Sequence, residues 1–257
     1  MERRLIKSNL NEKIEKSKEV ILEAVEKFGK DKIAAAFTGG KDSTVLVHLI
    51  KEAYNGKVPI PVVFVDTGKH FKEVYDFRDE LVKKWDMKLI NSKNVAVINS
   101  TKDGLVKLQD LSKEVKDDLD QIGWEEDEFR IALDREPCCH LLKTVATNQA
   151  IIENKLDALM VGIRWDEQEA RSDEEYYSPR SNPTHTRVHP ILHFLWDDVW
   201  DYTKIYNLPH NPLYDKGFTS LGCYTCTTPN PEGKVERAGR AQDKEQTMRR
   251  LRALGYF

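Results

Sequence analysis

The stretch of residues 33–50, IAAAFTGGKDSTVLVHLI, decides the fold of this 257-residue chain. Its first five residues form a short apolar run that predicts a buried strand, and residues 44–50 predict a buried helix. Between them lies a Gly-rich loop. Glycines let the backbone approach an anion, a helix N-terminus offers free N–H groups, and Lys41 adds a cation. Strand, loop and helix together predict a phosphate-binding loop made of Thr38, Gly39, Gly40, Lys41, Asp42 and Ser43.

Strand and helix patterns alternate on either side of this loop, which predicts an α/β fold with a parallel sheet and crossover helices. The predicted helices are residues 10–28, 44–50, 71–84, 140–154 and 196–206, and the predicted strands are residues 33–37, 61–65, 87–90, 158–162 and 187–191. Residues 101–135 are charged and mostly helical in pattern, and residues 163–186 resemble a polar loop. We predict a nucleotide-binding α/β domain over residues 1–207 and a C-terminal extension over residues 208–257, with a C-x-x-C motif and a basic tail.

The bulk composition excludes several classes of protein. The formal net charge is −3, so the chain as a whole has no electrostatic attraction to nucleic acid or membrane. The N-terminus has no apolar run of the kind that secretion signals carry, and no stretch approaches the roughly 20 apolar residues that span a bilayer. We therefore expect a cytoplasmic protein without a membrane partner, and a homo-oligomer.

The four cysteines occur as two close pairs, Cys138 with Cys139 and Cys223 with Cys226. In a reducing cytosol such pairs are more often ligands or redox groups than disulfides. Four thiolates suit a tetrahedral zinc ion or a 4Fe–4S cluster. Two adjacent cysteine side chains rarely converge on one small ion, whereas a cluster offers each thiolate a separate iron atom.

The loop Gly39-Gly40-Lys41-Asp42-Ser43 resembles the pyrophosphate-binding loop of the ATP pyrophosphatase (PP-loop) superfamily, whose members cut ATP between the α and β phosphates. The resemblance implies a Rossmann-like adenine nucleotide α-hydrolase fold, with a parallel sheet and helices on both faces. Residues 65–79, which contain the turn Asp66-Thr67-Gly68, resemble a stretch of the small subunit of bacterial ATP sulfurylase. The turn follows a predicted strand, and in PP-loop families the matching loop approaches the nucleotide.

A second resemblance is carried by residues 162–167, GIRWDE, and the arginine that follows them. The pattern is similar to a segment that ATP sulfurylase small subunits share with sulfonucleotide reductases, where it contacts the phosphosulfate end of the nucleotide. Arginines at a strand end are well placed to bind phosphate or sulfate oxygens. On this match we predict that Gly162, Arg164, Asp166 and Glu167 bind nucleotide, with Arg180 as a further candidate. Taken with the loop, it makes Lys41, Asp42, Arg164 and Arg171 the predicted catalytic residues.

The cysteine spacing resembles the 4Fe–4S motif of adenylyl-sulfate (APS) reductases. Residues 211–222 and 236–240 extend that match, so that the resemblance covers roughly residues 30–240. The chain is identified as a member of the phosphoadenosine phosphosulfate (PAPS) reductase family within the PP-loop superfamily. The resemblance implies a 4Fe–4S cluster on Cys138, Cys139, Cys223 and Cys226, with zinc as the alternative.

Two departures from the reductases favour ATP as the substrate. Those enzymes attack the sulfonucleotide with a cysteine in a C-terminal Glu-Cys-Gly-x-His segment, and here no cysteine follows Cys226. Their loop also lacks the lysine, whereas Lys41 and Asp42 are both present here. The leading hypothesis is thus a sulfate-assimilation transferase that activates ATP by α–β cleavage, in which Asp42, Ser43 or Asp66 helps to position Mg²⁺.

Two alternatives stay open at this point. One is an APS or PAPS reductase that uses thioredoxin or another redox or sulfur-donor protein. The other is a nucleotide-binding Fe–S module in a nucleic-acid sulfur-modification complex. The basic tail is compatible with a nucleic-acid partner, although a run this short is more often a solvated helix face. Its arginines are Arg237, Arg240, Arg249, Arg250 and Arg252.

Overall fold

The computed structural model describes residues 2–168, 171–230, 232–233 and 235–242. Three arginines of the predicted basic tail, Arg249, Arg250 and Arg252, lie outside these ranges. Within them, no helix combines the length and the apolar character that crossing a membrane requires.

The secondary structure alternates between helices and short strands. The α-helices are α1 (Leu10–Phe28), α2 (Lys41–Ala53), α3 (Lys72–Lys84), α4 (Val95–Ser100), α5 (Lys113–Gln121), α6 (Arg135–Cys139), α7 (Ala146–Glu153) and α8 (Trp196–Ile205). The strands are β1 (Ile33–Ala36), β2 (Val62–Val65), β3 (Leu89–Ser92), β4 (Leu105–Lys107), β5 (Glu128–Arg130), β6 (Ala158–Met160), β7 (Tyr177–Ser181) and β8 (Thr184–Val188). A π-helical turn covers His140–Val145, and 3-10 turns include Leu108–Asp110, Tyr214–Lys216 and Tyr224–Cys226.

Helix α1 shows how the sequence pattern sets an element. The Asn9 side chain accepts a hydrogen bond from the Glu12 backbone N–H at 3.0 Å, which caps the first turn. Residues at helical spacing, among them Ile14 and Ile21, are buried against the core. Gly29 ends the helix at φ 82°, a left-handed value that suits glycine.

The main sheet has six strands in the order β3-β2-β1-β6-β8-β7. Strand β1 pairs in parallel with β2 and with β6, and β6 pairs in parallel with β8. The edge strand β7 runs antiparallel to β8. The sheet confirms the predicted fold class, an α/β fold with a largely parallel sheet.

The strand order reverses at β1. The chain runs outward from β1 to β2 and β3, and then returns to place β6 on the other side of β1. In open α/β sheets, ligands bind beyond the carboxyl ends of the strands at such a switch point. The fold therefore marks the loops that follow β1 and β6 as the candidate ligand site.

The chain divides into two compact units. The first contains residues 2–64, 72–90 and 151–217, and its core lies among α1, α2, α8 and the sheet. The second contains residues 65–71, 91–150 and the described residues from 218 to 242. Its core includes Val106, Leu119, Phe129 and Leu141. The division does not follow the predicted boundary at residue 207, because residues 208–217 group with the first unit.

The prediction that residues 101–135 are mostly helical is wrong. The α-helical residues there are α5 and the first residue of α6, and β4 and β5 form an antiparallel pair on either side of α5. Each of these strands has three residues, of which only the central one, Val106 or Phe129, is buried. One buried residue per strand gives no detectable alternation within a charged segment.

Two other local predictions need correction. The predicted polar loop at 163–186 contains β7, a polar edge strand with Pro179 at a position that tolerates a missing N–H. The predicted helix over residues 140–154 begins as the π-helical turn His140–Val145, and Cys138 and Cys139 lie just before it at the end of α6.

Candidate nucleotide site and cysteine centre

The loop after β1 is held in shape by its own hydrogen bonds. Gly39 has φ 72°, a conformation that favours glycine. Gly40 is the N-cap residue of α2, and no side chain caps the helix there. Ser43 Oγ donates to the Gly40 carbonyl at 2.9 Å and accepts from the Thr38 backbone N–H at 3.1 Å. The Ser43 hydroxyl thus stabilises the loop, and the uncapped N-terminus of α2 is a suitable anion site.

Four predicted site residues meet beside this loop in the first unit. Lys41 Nζ lies 2.7 Å from Asp42 Oδ2, and the guanidinium of Arg164 contacts the other oxygen of the same carboxylate. Arg164 Nε donates to Asp166 Oδ1 at 2.8 Å. Lys41 is 3 % exposed and Arg164 is fully buried. The structure therefore joins residues from the ends of two neighbouring strands into one network of charges.

The network fixes the charge of Asp42. Burial opposes ionisation of this carboxyl, but the charges of Arg164, Lys41 and Arg171 outweigh that effect and lower its pKa to about 2. Asp42 is therefore a carboxylate at neutral pH. It holds the cationic groups of Lys41 and Arg164 beside the loop.

The remaining predicted arginines form separate ion pairs. Arg171 pairs with Glu167 and is close enough to Asp42 to influence its pKa. Arg180, in β7, pairs with the buried carboxylate of Glu174 at 2.9 Å. The structure therefore groups Arg171 with the Asp42 network and gives Arg180 a different partner.

Gly162 follows β6 and lies against the loop. A Cβ at this position would be 3.0 Å from the Asp42 carbonyl oxygen and 3.3 Å from the Ser43 backbone nitrogen. The absence of a Cβ at Gly162 thus lets the backbone of α2 approach closely.

This contact leads to a prediction for Gly162→Ala. The new methyl group meets backbone atoms that cannot rotate away, so we expect the loop to shift and the protein to lose about 1–3 kcal/mol of stability. Nucleotide affinity should fall more than tenfold, since the loop N–H groups move away from the phosphate (~1.4 kcal/mol per tenfold). Denaturant unfolding and calorimetric titration with adenine nucleotides measure the two effects. Unchanged affinity in a folded variant would show that the loop does not bind the nucleotide.

Three contacts to the loop come from residues that the sequence analysis did not assign to the site. The Tyr214 hydroxyl accepts a hydrogen bond from the Lys41 backbone N–H at 2.9 Å. Asn211 Nδ2 donates to the Gly39 and Glu73 carbonyls at 3.5 and 3.2 Å. The Trp196 ring centroid lies 4.4 Å from Lys41 Nζ. Asn211 and Tyr214 lie in the segment 211–222 that extends the family resemblance, but their residue types alone did not indicate a role for either of them.

The predicted turn Asp66-Thr67-Gly68 belongs to the second unit. The Gly68 N–H donates to Asp66 Oδ1 at 2.8 Å, and Lys93 Nζ lies 3.7 Å from Asp66 Oδ2. Thr67 Oγ1 lies 3.4 Å from the sulfur of Cys223. In this unit, therefore, the turn contacts the C-x-x-C segment.

The four cysteines are free thiols within the same unit. Burial, followed by the charges of Cys139 and Cys223, raises the pKa of the Cys138 thiol to about 12. Arg135, at the start of the helix that ends in Cys139, donates to the Cys226 sulfur at 2.9 Å. These interactions bring both pairs together. No three His, Cys, Asp or Glu side chains of the described residues are arranged to hold a single metal ion.

Three of the four sulfurs have a hydrogen-bond partner. The Ala132 backbone hydrogen-bonds to Cys138, the Thr67 hydroxyl lies beside Cys223, and Arg135 donates to Cys226. Ala132 has φ 71°, a left-handed conformation that costs about 1 kcal/mol for a residue with a Cβ. Three of these sulfurs thus have a polar neighbour of the kind that hydrogen-bonds metal-bound thiolates.

Comparisons with known proteins agree with this architecture. The phosphoadenosine phosphosulfate reductase domain family matches residues 32–229. An adenosine 5'-phosphosulfate reductase from Halalkalibacterium halodurans is 30 % identical over 244 residues, which are 93 % of this chain and 94 % of that protein. Adenosine 5'-phosphosulfate reductase 1 from Bacillus subtilis is 30 % identical over 212 residues, 82 % of this chain and 79 % of that protein.

Solved structures show the same fold at lower identity. A phosphoadenylyl-sulfate reductase from Candida auris has a TM-score of 0.60 and 19 % identity, over 82 % of this chain and 90 % of that chain. An FMN adenylyltransferase from Candida glabrata has a TM-score of 0.61 and 23 % identity, over 88 % of this chain and 68 % of that chain. These likenesses confirm the Rossmann-like fold class, and the sequence matches confirm the predicted kinship. The chain belongs to the phosphoadenosine phosphosulfate reductase domain family, within the PP-loop superfamily.

Proposed function

We propose that this protein reduces adenosine 5'-phosphosulfate to sulfite and AMP, with a dithiol as the electron donor. The observation that carries the proposal is the extent of the match to the reductases. The matched range, residues 32–229, spans the loop after β1, the arginine segment after β6 and all four cysteines. The leading hypothesis from the sequence was ATP activation, and the relatives support the reductase alternative better.

The nucleotide site has the groups that binding a phosphosulfate requires. The first-turn N–H groups of α2 suit the phosphate, and Lys41 adds a cation beside them. Arg164 and Arg171 would bind the remaining phosphate and sulfate oxygens, and Asp42, Asp166 and Glu167 keep these cations in place. The negative charge that develops on the departing AMP would be stabilised by the same cations.

The electron donor in this proposal is a separate dithiol, because all four cysteines of this sequence belong to the cysteine centre. One thiolate attacks the sulfur of the phosphosulfate, the S–O bond to the phosphate breaks, and AMP leaves with the electron pair. The second thiol then attacks the sulfur that carries the sulfonate, a disulfide forms, and sulfite leaves. The dithiol loses two electrons, and the sulfur of the substrate gains them.

We further propose that Cys138, Cys139, Cys223 and Cys226 hold a 4Fe–4S cluster. The donor set fits, because all four ligands are thiols and three of them have hydrogen-bonding neighbours of the kind that surround metal-bound thiolates. When bound, the cluster would supply a fixed charge and would tie α6 to the C-x-x-C turn. Zinc is the alternative occupant.

A second candidate function is favoured by Lys41. The PP-loop resemblance links an intact lysine in this loop to cleavage of ATP. Lys41 is held at the N-terminus of α2. In that reaction an acceptor such as sulfate attacks the α-phosphorus, the bond to the β-phosphate breaks, and pyrophosphate leaves. Mg²⁺ would enter with the ATP, beside Asp42.

Two assays on the intact protein distinguish these functions. In the first, adenosine 5'-phosphosulfate and a dithiol are added, and sulfite and AMP are measured. In the second, ATP, Mg²⁺ and sulfate are added, and pyrophosphate is measured. We expect equal amounts of sulfite and AMP in the first and no pyrophosphate in the second. Pyrophosphate without sulfite would replace our proposal by ATP activation.

Lys41→Ala provides a further prediction. If the protein is a reductase, Lys41 contributes binding energy to the terminal group, and the variant should lose about tenfold in kcat/KM (~1.4 kcal/mol) while it still forms sulfite. If the protein activates ATP, loss of this cation should abolish pyrophosphate release, because the leaving group carries the developing charge. Lys57→Ala, at an exposed lysine of the first unit outside the loop, is the control and should match the wild type.

A further inference from the structure

A closed ring of contacts surrounds the Lys41 ammonium group in the first unit. Lys41 pairs with Asp42, which contacts Arg164, and Arg164 pairs with Asp166. Asp166 Oδ2 then accepts the backbone N–H of Trp196 at 2.8 Å. The ring closes where the indole of Trp196 lies 4.4 Å from Lys41 Nζ, measured to the ring centroid.

Trp196 links the two ends of this ring through two different parts of one residue. Its backbone N–H fixes the start of α8 to Asp166, and its indole contacts the ammonium group. An ammonium ion over an indole face is attracted by the electrons of the ring, and the attraction grows when water is excluded. Lys41 is 3 % exposed, so this condition is met.

We propose that Trp196 is a positioning residue that holds the Lys41 ammonium group for the terminal anionic group of a bound nucleotide. This inference rests on the nucleotide site of the proposed function. A lysine side chain has four rotatable bonds, and ordering it on binding costs affinity. Asp42 restrains the ammonium from one direction, and the Trp196 ring restrains it from another. The contact therefore favours ligands that extend beyond the α-phosphate, such as adenosine 5'-phosphosulfate and ADP, over AMP.

The experiment compares three ligands in calorimetric titrations without reductant: AMP, ADP and adenosine 5'-phosphosulfate. Trp196→Leu removes the aromatic face and leaves apolar volume, and Trp196→Phe keeps a weaker face. Trp85→Phe, a tryptophan in the core of the same unit, is the matched control. We expect Trp196→Leu to weaken the binding of ADP and adenosine 5'-phosphosulfate about tenfold and the binding of AMP less than about twofold. The affinities of Trp196→Phe should lie in between. Trp85→Phe should leave the affinity for all three ligands unchanged.

Several results would overturn the inference. In Trp196→Leu, an equal loss for AMP and ADP would mean that the tryptophan supports the fold or contacts the nucleoside. Unchanged ADP binding in the same variant would mean that Lys41 is positioned without Trp196. A wild-type protein that binds AMP as tightly as the two longer ligands would show that Lys41 does not contact the terminal group. Sulfite formation decides the proposed function separately, so the two failures are distinguishable.

Discussion

Replacing Arg164 by methionine is expected to remove nucleotide binding and to lower the free energy of unfolding by about 3–5 kcal/mol, the usual cost of breaking a buried ion pair from one side. Arg164 is fully buried and contacts two carboxylates, Asp42 and Asp166. Methionine keeps an unbranched apolar side chain without charge or hydrogen-bond donors. The mostly buried Asp42 carboxylate would then lose its principal cation, Asp166 would lose its ion-pair partner, and one of the two arginines proposed to bind the phosphosulfate would be lost.

The pH dependence of this effect follows from the pKa of Asp42. In the wild type that pKa is lowered from 3.8 to about 2, so the stabilisation is complete above pH 3.8 and is lost as the pH falls towards 2. Arg164 is the strongest of the lowering influences, so in Arg164→Met the pKa of Asp42 rises. The buried carboxyl can then take up a proton under mildly acidic conditions. The stability difference between variant and wild type should therefore be largest near pH 7 and should shrink as the pH falls.

Denaturant unfolding at about pH 7.5 and at about pH 5 measures this difference, and nucleotide titration measures binding. Arg180→Met is the matched control, because it breaks the Arg180–Glu174 ion pair in the same unit without removing a member of the Asp42 network. We expect the control to lose stability and to keep nucleotide affinity. If Arg164→Met showed the same destabilisation at both pH values, Asp42 would not depend on Arg164 for its charge.

The sequence predicted the nucleotide loop because its signal is local. Strand β1, the glycines and helix α2 are contiguous, so eighteen residues contain the whole pattern. The start of the arginine segment could be placed for the same reason, since Gly162 and Arg164 directly follow a buried strand. The side chains that complete the site are distant in sequence. Tyr214 lies 173 positions beyond Lys41, and nothing in its neighbourhood indicates that its hydroxyl would accept the Lys41 N–H.

The turn that follows β2 shows a second limit. Its position at the end of a strand predicted contact with nucleotide, and that prediction stays untested. Its contact with the C-x-x-C segment involves Thr67 and Cys223, which are 156 positions apart. Such a contact depends on how the second unit folds, and that unit contains the short β4–β5 pair that sequence periodicity did not reveal. The cysteine spacing thus predicted a common centre, while the neighbours of each sulfur required the structure.

Replacing Cys226 by serine should remove most of the iron and the brown colour from protein purified without oxygen. Serine keeps the size of the side chain but loses the thiolate, which is the ligand that iron–sulfur clusters require. The Arg135 guanidinium would also lose the sulfur to which it donates at 2.9 Å. Iron, sulfide and zinc analysis of wild type and variant measures the change.

Tyr224→Phe is the control for this variant, because it alters the same turn at a half-exposed position and keeps all four sulfurs. It should retain the iron content of the wild type. Loss of iron in Cys226→Ser alone would assign the cluster to the thiolates, since both variants disturb the 3-10 turn Tyr224–Cys226. A colourless wild-type protein with one zinc ion in place of iron and sulfide would contradict the cluster.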